Sequence, residues 1–210
     1  MATRESSGKV LNKLADKLPN LMGGSADLAP SNKSVMDKRE YFSAANYAGS
    51  NIHFGIREFA MAGMANGMYL HGGILPYVAT FFVFSDYLKH GIRLSALMKL
   101  PVIYVMTHDS IGVGEDGPTH EPIEQLAGIR SMPDTYMWRP ADSKETAAAY
   151  EFALTKAEGP VVMALSRQKL PLYKETGKAA LKGGYILSDS EKATPDCLLM
   201  ASGSEVEQCV

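Results

Sequence analysis

Two histidines and five acids crowd into one segment of this chain, THDSIGVGEDGPTHEPIEQLAG, Thr107–Gly128. It follows directly on Pro101–Met106, a run apolar enough to be a buried strand. In a parallel α/β sheet, ligands bind just beyond the carboxyl ends of the strands. His108, Glu115, Asp116 and His120 therefore stand where polar chemistry is expected. A solvated loop rarely concentrates imidazoles in this way, and a core segment could not bury so many polar groups without dedicated partners. The pattern predicts an active-site loop. It does not predict a metal site: twelve positions separate the histidines and no third ligand stands at helical spacing. Nor does a serine in GxSxG context support a hydrolase nucleophile.

Three further groups of residues could carry chemistry. TFFVFSDY spaces Phe81, Phe84 and Tyr87 at i, i+3 and i+6, one face of a helix. Such a face packs a core or stacks a flat heterocycle. Glu58, in HFGIREFAM, opens a helix, where the macrodipole favours a carboxylate. The Gly, Ala and Met around it predict a largely buried helix, and a buried carboxyl must be paired or protonated. A protonated one can donate to a ring nitrogen. Arg4, Ser31 and Arg167 are scattered, and each alone reads as a surface residue. Arg167 follows a strand end and Ser31 lies in a polar loop after another, so both should approach one sheet edge. A guanidinium with a hydroxyl suits a phosphate.

The elements that must position these groups alternate along the chain. Val10, Leu11, Leu14 and Leu18 predict a helix over Thr3–Leu18, stopped by Pro19. Strands are predicted at Asn20–Gly24, Asn51–Phe54, Ile74–Thr80, Val102–Met106, Thr135–Trp138 and Pro160–Leu165. Helices are predicted at Arg57–His71, Phe81–Leu97, Ile123–Ser131 and Ser143–Lys156. This alternation means an α/β fold: a doubly wound, mainly parallel six-stranded sheet flanked by helices. Residues 1–172 form that domain. Residues 173–210 are expected to hold a linker, YKETGKAALKGG, and the first βα unit of a truncated second domain. Its strand would be Asp196–Ala201 and its helix would begin in SGSEVEQCV, which suggests a fragment of a longer protein.

Composition bounds the partners. The chain has 210 residues, 46% hydrophobic and 21% charged, ordinary for a globular protein. Lys plus Arg number 21 against 23 Asp plus Glu, a net charge of −2, so there is no basic field to hold a nucleic acid. No apolar run reaches the roughly 18 residues of a membrane span, and the charged N-terminus does not read as a signal peptide. Cys197 and Cys209 form no CxxC or disulfide framework, which favours a reducing, cytoplasmic setting.

Taken together, these residues resemble the transketolase family. GEDGPTHEPIE, Gly114–Glu124, is similar to that family's most specific signature. GGSADLAPSN, FGIREFAM, TFFVFSDY, RLSAL, THDSIGVGEDGPTH, WRPAD and ALSRQ follow in the family's order over essentially the whole chain. The resemblance implies the middle, pyrimidine-binding domain plus the start of the C-terminal domain. The family's N-terminal domain, whose GDG…N motif binds the diphosphate and Mg²⁺ or Ca²⁺, has no counterpart here; the nearest match is EDG at Glu115–Gly117.

Thiamine diphosphate is then the implied cofactor. Glu58 would hydrogen-bond the pyrimidine N1′, favouring the imino tautomer whose nitrogen removes the thiazolium C2 proton. Phe81, Phe84 and Tyr87 would hold the aminopyrimidine, and Asp27 would lie near the cofactor and a dimer interface. His108, Asp116 and His120 would contact donor hydroxyls, with the histidines moving protons near the C2 oxygen. Arg4, Ser31 and Arg167, with His108, would hold the sugar phosphate. The implied parent is a homodimer of the pentose phosphate pathway. It moves a two-carbon ketol unit among xylulose 5-phosphate, ribose 5-phosphate and erythrose 4-phosphate, with neither nucleic acid nor membrane as partner. Phe59 stands where many relatives have His, a change expected to affect packing. Alternatives are 1-deoxyxylulose-5-phosphate synthase, a formaldehyde-using transketolase, or a non-catalytic dimerising module. The intact GEDGPTHEPIE run and the SRQ strand end argue against the synthase. With half of each site elsewhere, this chain alone is expected to be inactive.

Overall fold

In a computed structural model describing all 210 residues, the alternation becomes a six-stranded sheet between two helical layers. The strands are β1 (Leu21–Ser25), β2 (Asn51–His53), β3 (Leu75–Phe81), β4 (Ile103–Thr107), β5 (Tyr136–Trp138) and β6 (Val161–Leu165). The helices are α1 (Thr3–Ala15), α2 (Ala29–Asn32), α3 (Glu58–His71), α4 (Ser85–Leu97), α5 (Gln125–Arg130) and α6 (Ser143–Thr155). The strand order is β2-β1-β3-β4-β6-β5, and every pair is parallel.

The three central strands are buried on both faces, so they read as unbroken apolar runs. Side chains still alternate with period two. Val78, Tyr104, Met106 and Val162 face α3 and α4 with Met61, Leu88 and Ile92. Tyr77, Val105 and Met163 face α1 and α6 with Leu11, Ala149 and Tyr150. Helices α3 and α4 pack closely because Gly91 meets Ala62: a Cβ at Gly91 would lie 2.3 Å from the Ala62 Cβ.

Register brings the strand ends level. Phe81 pairs with Thr107, and Thr107 with Leu165. The residues that follow β1, β3, β4 and β6 thus share one sheet edge. Between β1 and β3 the winding reverses direction, which opens the crevice where such sheets bind ligands.

Several expectations needed correction. Phe81 is not helical: it ends β3 in extended backbone, and a 3-10 turn at Phe82–Phe84 precedes α4. Ladder pairing to β4 outweighs the local helical spacing there. Helix α3 is buried on one side only, and Phe59, Met64 and Leu70 are exposed on the other. Asp196–Ala201 forms no strand, and SGSEVEQCV forms a 3-10 segment at Gly203–Gln208 in place of an α-helix. Leu198, Leu199 and Met200 are exposed, since a lone parallel strand finds no neighbour to pair with.

The segment after Pro171 is anchored and not free. Lys144 donates to the carbonyls of Tyr173 and Lys174 at 2.6 and 3.0 Å, and Thr176 donates to Asp142. Further on, Arg139 joins Asp109 (2.9 Å) to Glu205.

Candidate active site

Two pockets open side by side on that edge. The first, about 450 Å³, is lined by Ala26, Asp27 and Leu28 after β1, Ile56 and Glu58 at the start of α3, and Phe84 and Tyr87 at the start of α4. Five of its seven residues are apolar, and Glu58 supplies a carboxylate on a residue only 8% exposed. Glu58 is fixed because α3 begins there, after the left-handed Gly55 turns the chain out of β2. A flat apolar ring with one polar edge fits this lining.

The second pocket is polar and lies beyond Phe81. Arg4, Pro30, Ser31, Lys33, His108, Asp116 and Arg167 complete its wall. Arg4 Nη1 donates to the Ser31 carbonyl at 3.0 Å and lies 3.4 Å from His108 Nε2, while its buried Nε has no partner. Burial, and after it the charge of Arg167, pulls the pKa of Arg4 below its ordinary value. Two guanidiniums share this space with Asp116, whose side chain is partly solvated. Such an excess of cation with an unspent donor is a site for an anion.

His108 is buried, 2% exposed. Burial first, then Arg4, drops its pKa from 6.5 to about 4, so it is neutral near pH 7. Its Nε2 is 4.0 Å from Asp116 Oδ2. Asp27 and His108 both hold left-handed backbone, with φ of 63° and 62°. That conformation costs non-glycine residues about 1–3 kcal/mol and clusters where ligands bind.

The aromatic residues form the partition between the pockets. Phe81 and Phe84 stack with centroids 6.0 Å apart, and the Phe84 and Tyr87 centroids are also 6.0 Å apart. Phe81 lies 3.8 Å from the His108 ring, so it serves the polar pocket, while Phe84 and Tyr87 line the apolar one. His120 packs edge-on against both Phe81 and Phe84, at 6.1 and 5.4 Å, and lines neither cavity. Glu115 is exposed and lies outside both, although the loop pattern had grouped it with His108. Lys33 also lines the polar pocket, though it belongs to none of the sequence motifs above. Its signal was a cation in the polar run after β1, in the left-handed position that ends α2. No group of three His, Cys, Asp or Glu side chains is placed to hold a metal ion.

Comparison with known proteins agrees with this architecture. The family described as "Transketolase, pyrimidine binding domain" matches residues 1–172. The transketolase of Bacillus subtilis is 56% identical over 98% of this chain and 32% of its own length. Chloroplastic transketolase-1 of Arabidopsis thaliana is 51% identical over 98% of this chain and 28% of its own length. The chain thus spans about a third of these relatives. A solved transketolase of Pichia stipitis in complex with sedoheptulose 7-phosphate superposes with a TM-score of 0.95 at 44% identity, covering 100% of this chain and 32% of that one. A split-gene transketolase described as an inactive beta4 tetramer superposes with a TM-score of 0.65 at 33% identity, covering 82% and 53%. With the match running from residue 1 to residue 172 of 210, the chain belongs to the transketolase family through its pyrimidine-binding domain.

Proposed function

We propose that this chain supplies the pyrimidine-binding half of a thiamine diphosphate-dependent transketolase, moving a two-carbon ketol unit from a ketose phosphate to an aldose phosphate. The observation that carries this reading is the adjacency of an apolar pocket with one buried carboxyl to a cation-rich pocket across the Phe81–Phe84 partition. Phe84, Tyr87 and Ile56 would hold a pyrimidine, and Glu58 would bind its N1′ edge. When bound, thiamine diphosphate supplies the electron sink for cleaving a bond beside a carbonyl. Arg4 and Arg167, with Ser31 and His108, would bind the sugar phosphate. Asp116 and His120 would meet donor hydroxyls, and the histidines would move protons near the donor's C2 oxygen.

The relatives' names support the substrate class. Pichia stipitis transketolases were solved with sedoheptulose 7-phosphate, fructose 6-phosphate and xylulose 5-phosphate. Erythrose 4-phosphate and ribose 5-phosphate complete the proposed set within the pentose phosphate pathway. Mg²⁺ or Ca²⁺ and the diphosphate would be held by residues outside this chain. The exposed apolar residues Phe59, Met64 and Leu70 of α3 and Leu94 and Leu97 of α4 suit a homodimer. Two free thiols, Cys197 and Cys209, suit a reducing, cytoplasmic setting.

The test is a graft. This chain would replace its counterpart in the Bacillus subtilis relative, and transfer from xylulose 5-phosphate to ribose 5-phosphate would be measured with thiamine diphosphate and Mg²⁺. The chimera should turn over, and the 210-residue chain alone should not. A folded chimera no more active than its Glu58→Gln version would end this reading, and turnover by the isolated chain would end the half-site interpretation.

A further inference from the structure

A line of buried hydrogen bonds runs from the end of β1 to the imidazole of His108. The Leu28 backbone N–H donates to Ser25 Oγ at 3.2 Å. Ser25 donates its hydroxyl hydrogen to Asn32 Oδ1 at 2.6 Å. Asn32 Nδ2 donates to Thr107 Oγ1 at 2.7 Å, and Thr107 Oγ1 lies 2.9 Å from His108 Nδ1. Ser25, Asn32 and Thr107 are between 0% and 2% exposed, so water does not complete their bonding. A wholly buried Asn between two hydroxyls, with every side chain partnered, is a device and not a filler.

The line has a direction. Its first donor is a backbone N–H, which cannot become an acceptor. Ser25, accepting from Leu28, is left to donate onward, and this orients the Asn32 amide. Thr107 then accepts from Asn32 and has one hydrogen to place. The partner left for it is His108 Nδ1. A buried hydroxyl hydrogen with nowhere else to go costs about 1–3 kcal/mol. We infer that Asn32 and Thr107 are positioning residues that hold neutral His108 as the Nε2–H tautomer, making it a hydrogen-bond donor to the anion in the polar pocket. This deepens the function proposed above, on which the assignment of the anion rests.

One contact acts on Nε2 in the opposite sense. Arg4 Nη1, which carries only hydrogens, points one at Nε2 from 3.4 Å, a long bond that requires a bare Nε2; the shorter, buried bonds of the relay at 2.7 and 2.9 Å outweigh it. An acceptor oxygen beside the two removes the conflict, since Arg4 and Nε2 can then both donate to it. Asp116, Arg167 and His120 are the other titratable groups acting on the ring. Because the ring is neutral near pH 7, its tautomer decides whether it attracts or repels a phosphate oxygen, and the relay makes that choice without adding a third cation beside Arg4 and Arg167.

The tautomer is read directly by ¹⁵N NMR of the imidazole nitrogens in the 210-residue chain, without cofactor or turnover. Wild type should show a bare, pyridine-like Nδ1 and a protonated Nε2. Thr107→Val removes the donor, and the ratio of Nε2–H to Nδ1–H should fall at least about fivefold. Thr107→Ser keeps the hydroxyl and should restore it. A protonated Nδ1 in the wild-type chain overturns the proposal even if no variant folds, and so does an unchanged ratio in folded Thr107→Val. Inorganic phosphate is the second probe and should shift Nε2 more than Nδ1. A directed tautomer with no response to phosphate would support the relay while ending the anion assignment on which the function rests.

Discussion

Thr3 and Ser166 exchange two backbone-to-side-chain hydrogen bonds across 163 positions of sequence: the Thr3 N–H donates to Ser166 Oγ at 3.1 Å, and the Ser166 N–H donates to Thr3 Oγ1 at 2.7 Å. A bond from the Arg4 N–H to the Ser166 carbonyl at 3.3 Å continues the clasp. The first turn of α1 is thereby pinned to the end of β6. Arg4 and Arg167, the next residues on each side, are brought to the same pocket.

This clasp gives the first prediction. Thr3→Val keeps the side-chain shape but leaves a buried Ser166 N–H without its acceptor, at a cost of about 1–3 kcal/mol. Urea denaturation of the 210-residue chain measures this, and phosphate binding should weaken in parallel as Arg4 drifts from Arg167. A midpoint unchanged from wild type would show that the clasp contributes nothing.

The second concerns Arg167 in the chimeric enzyme. Removing a guanidinium that binds the donor's phosphate should cost about 1.5–3 kcal/mol. That is roughly a 10- to 150-fold rise in KM for xylulose 5-phosphate if the contact is equal in ground and transition states. Hydroxypyruvate carries no phosphate, so its kinetics with Arg167→Ala should barely move. Equal losses for both donors would make Arg167 a structural residue.

Glu58 gives the third. In the chimeric enzyme, Glu58→Gln preserves the shape of the α3 start but removes the acidic group that faces the apolar pocket. Proton–deuterium exchange at the bound cofactor's C2 should slow by about 100-fold or more, with circular dichroism unchanged. Exchange at the wild-type rate would return Glu58 to the role of a helix-start acid.

A fourth follows from the depressed pKa of His108. The unfolded chain takes up this proton near 6.5, whereas the folded chain resists it until about 4. Acid therefore favours the unfolded state: the contribution of His108 to stability is intact above pH about 6.5, falls through that window, and levels off below about 4. His108→Asn should flatten this part of the stability profile, measured as urea midpoints at pH 7 and 4.5. Parallel profiles for the two proteins would contradict the assignment. Phosphate in the polar pocket should raise the pKa of His108, since a nearby anion favours the imidazolium.

What the sequence determined by itself was local. The unbroken apolar runs of β3, β4 and β6 and the Ala- and Leu-spaced helices could be recognised because burial on both faces or on one leaves its period in the residues. The loop that brings His108 and Asp116 to the polar pocket was legible on another ground: polar groups massed after a buried strand have few other uses. Tertiary structure decided whatever depended on a distant partner. Phe81 has helical spacing yet joins β3, because the ladder to Thr107 holds it there. Asp196–Ala201 has strand-like composition yet forms none, because no neighbouring strand completes its hydrogen bonds. Asn32 and Thr107 carry no signature beyond ordinary polarity; their role arises only when α2 and the end of β4 meet. Arg4 and Arg167 become one cationic site through Thr3 and Ser166. Hydrophobic periodicity is written into neighbouring residues, whereas a hydrogen bond across 163 positions exists only once the sheet has closed the distance.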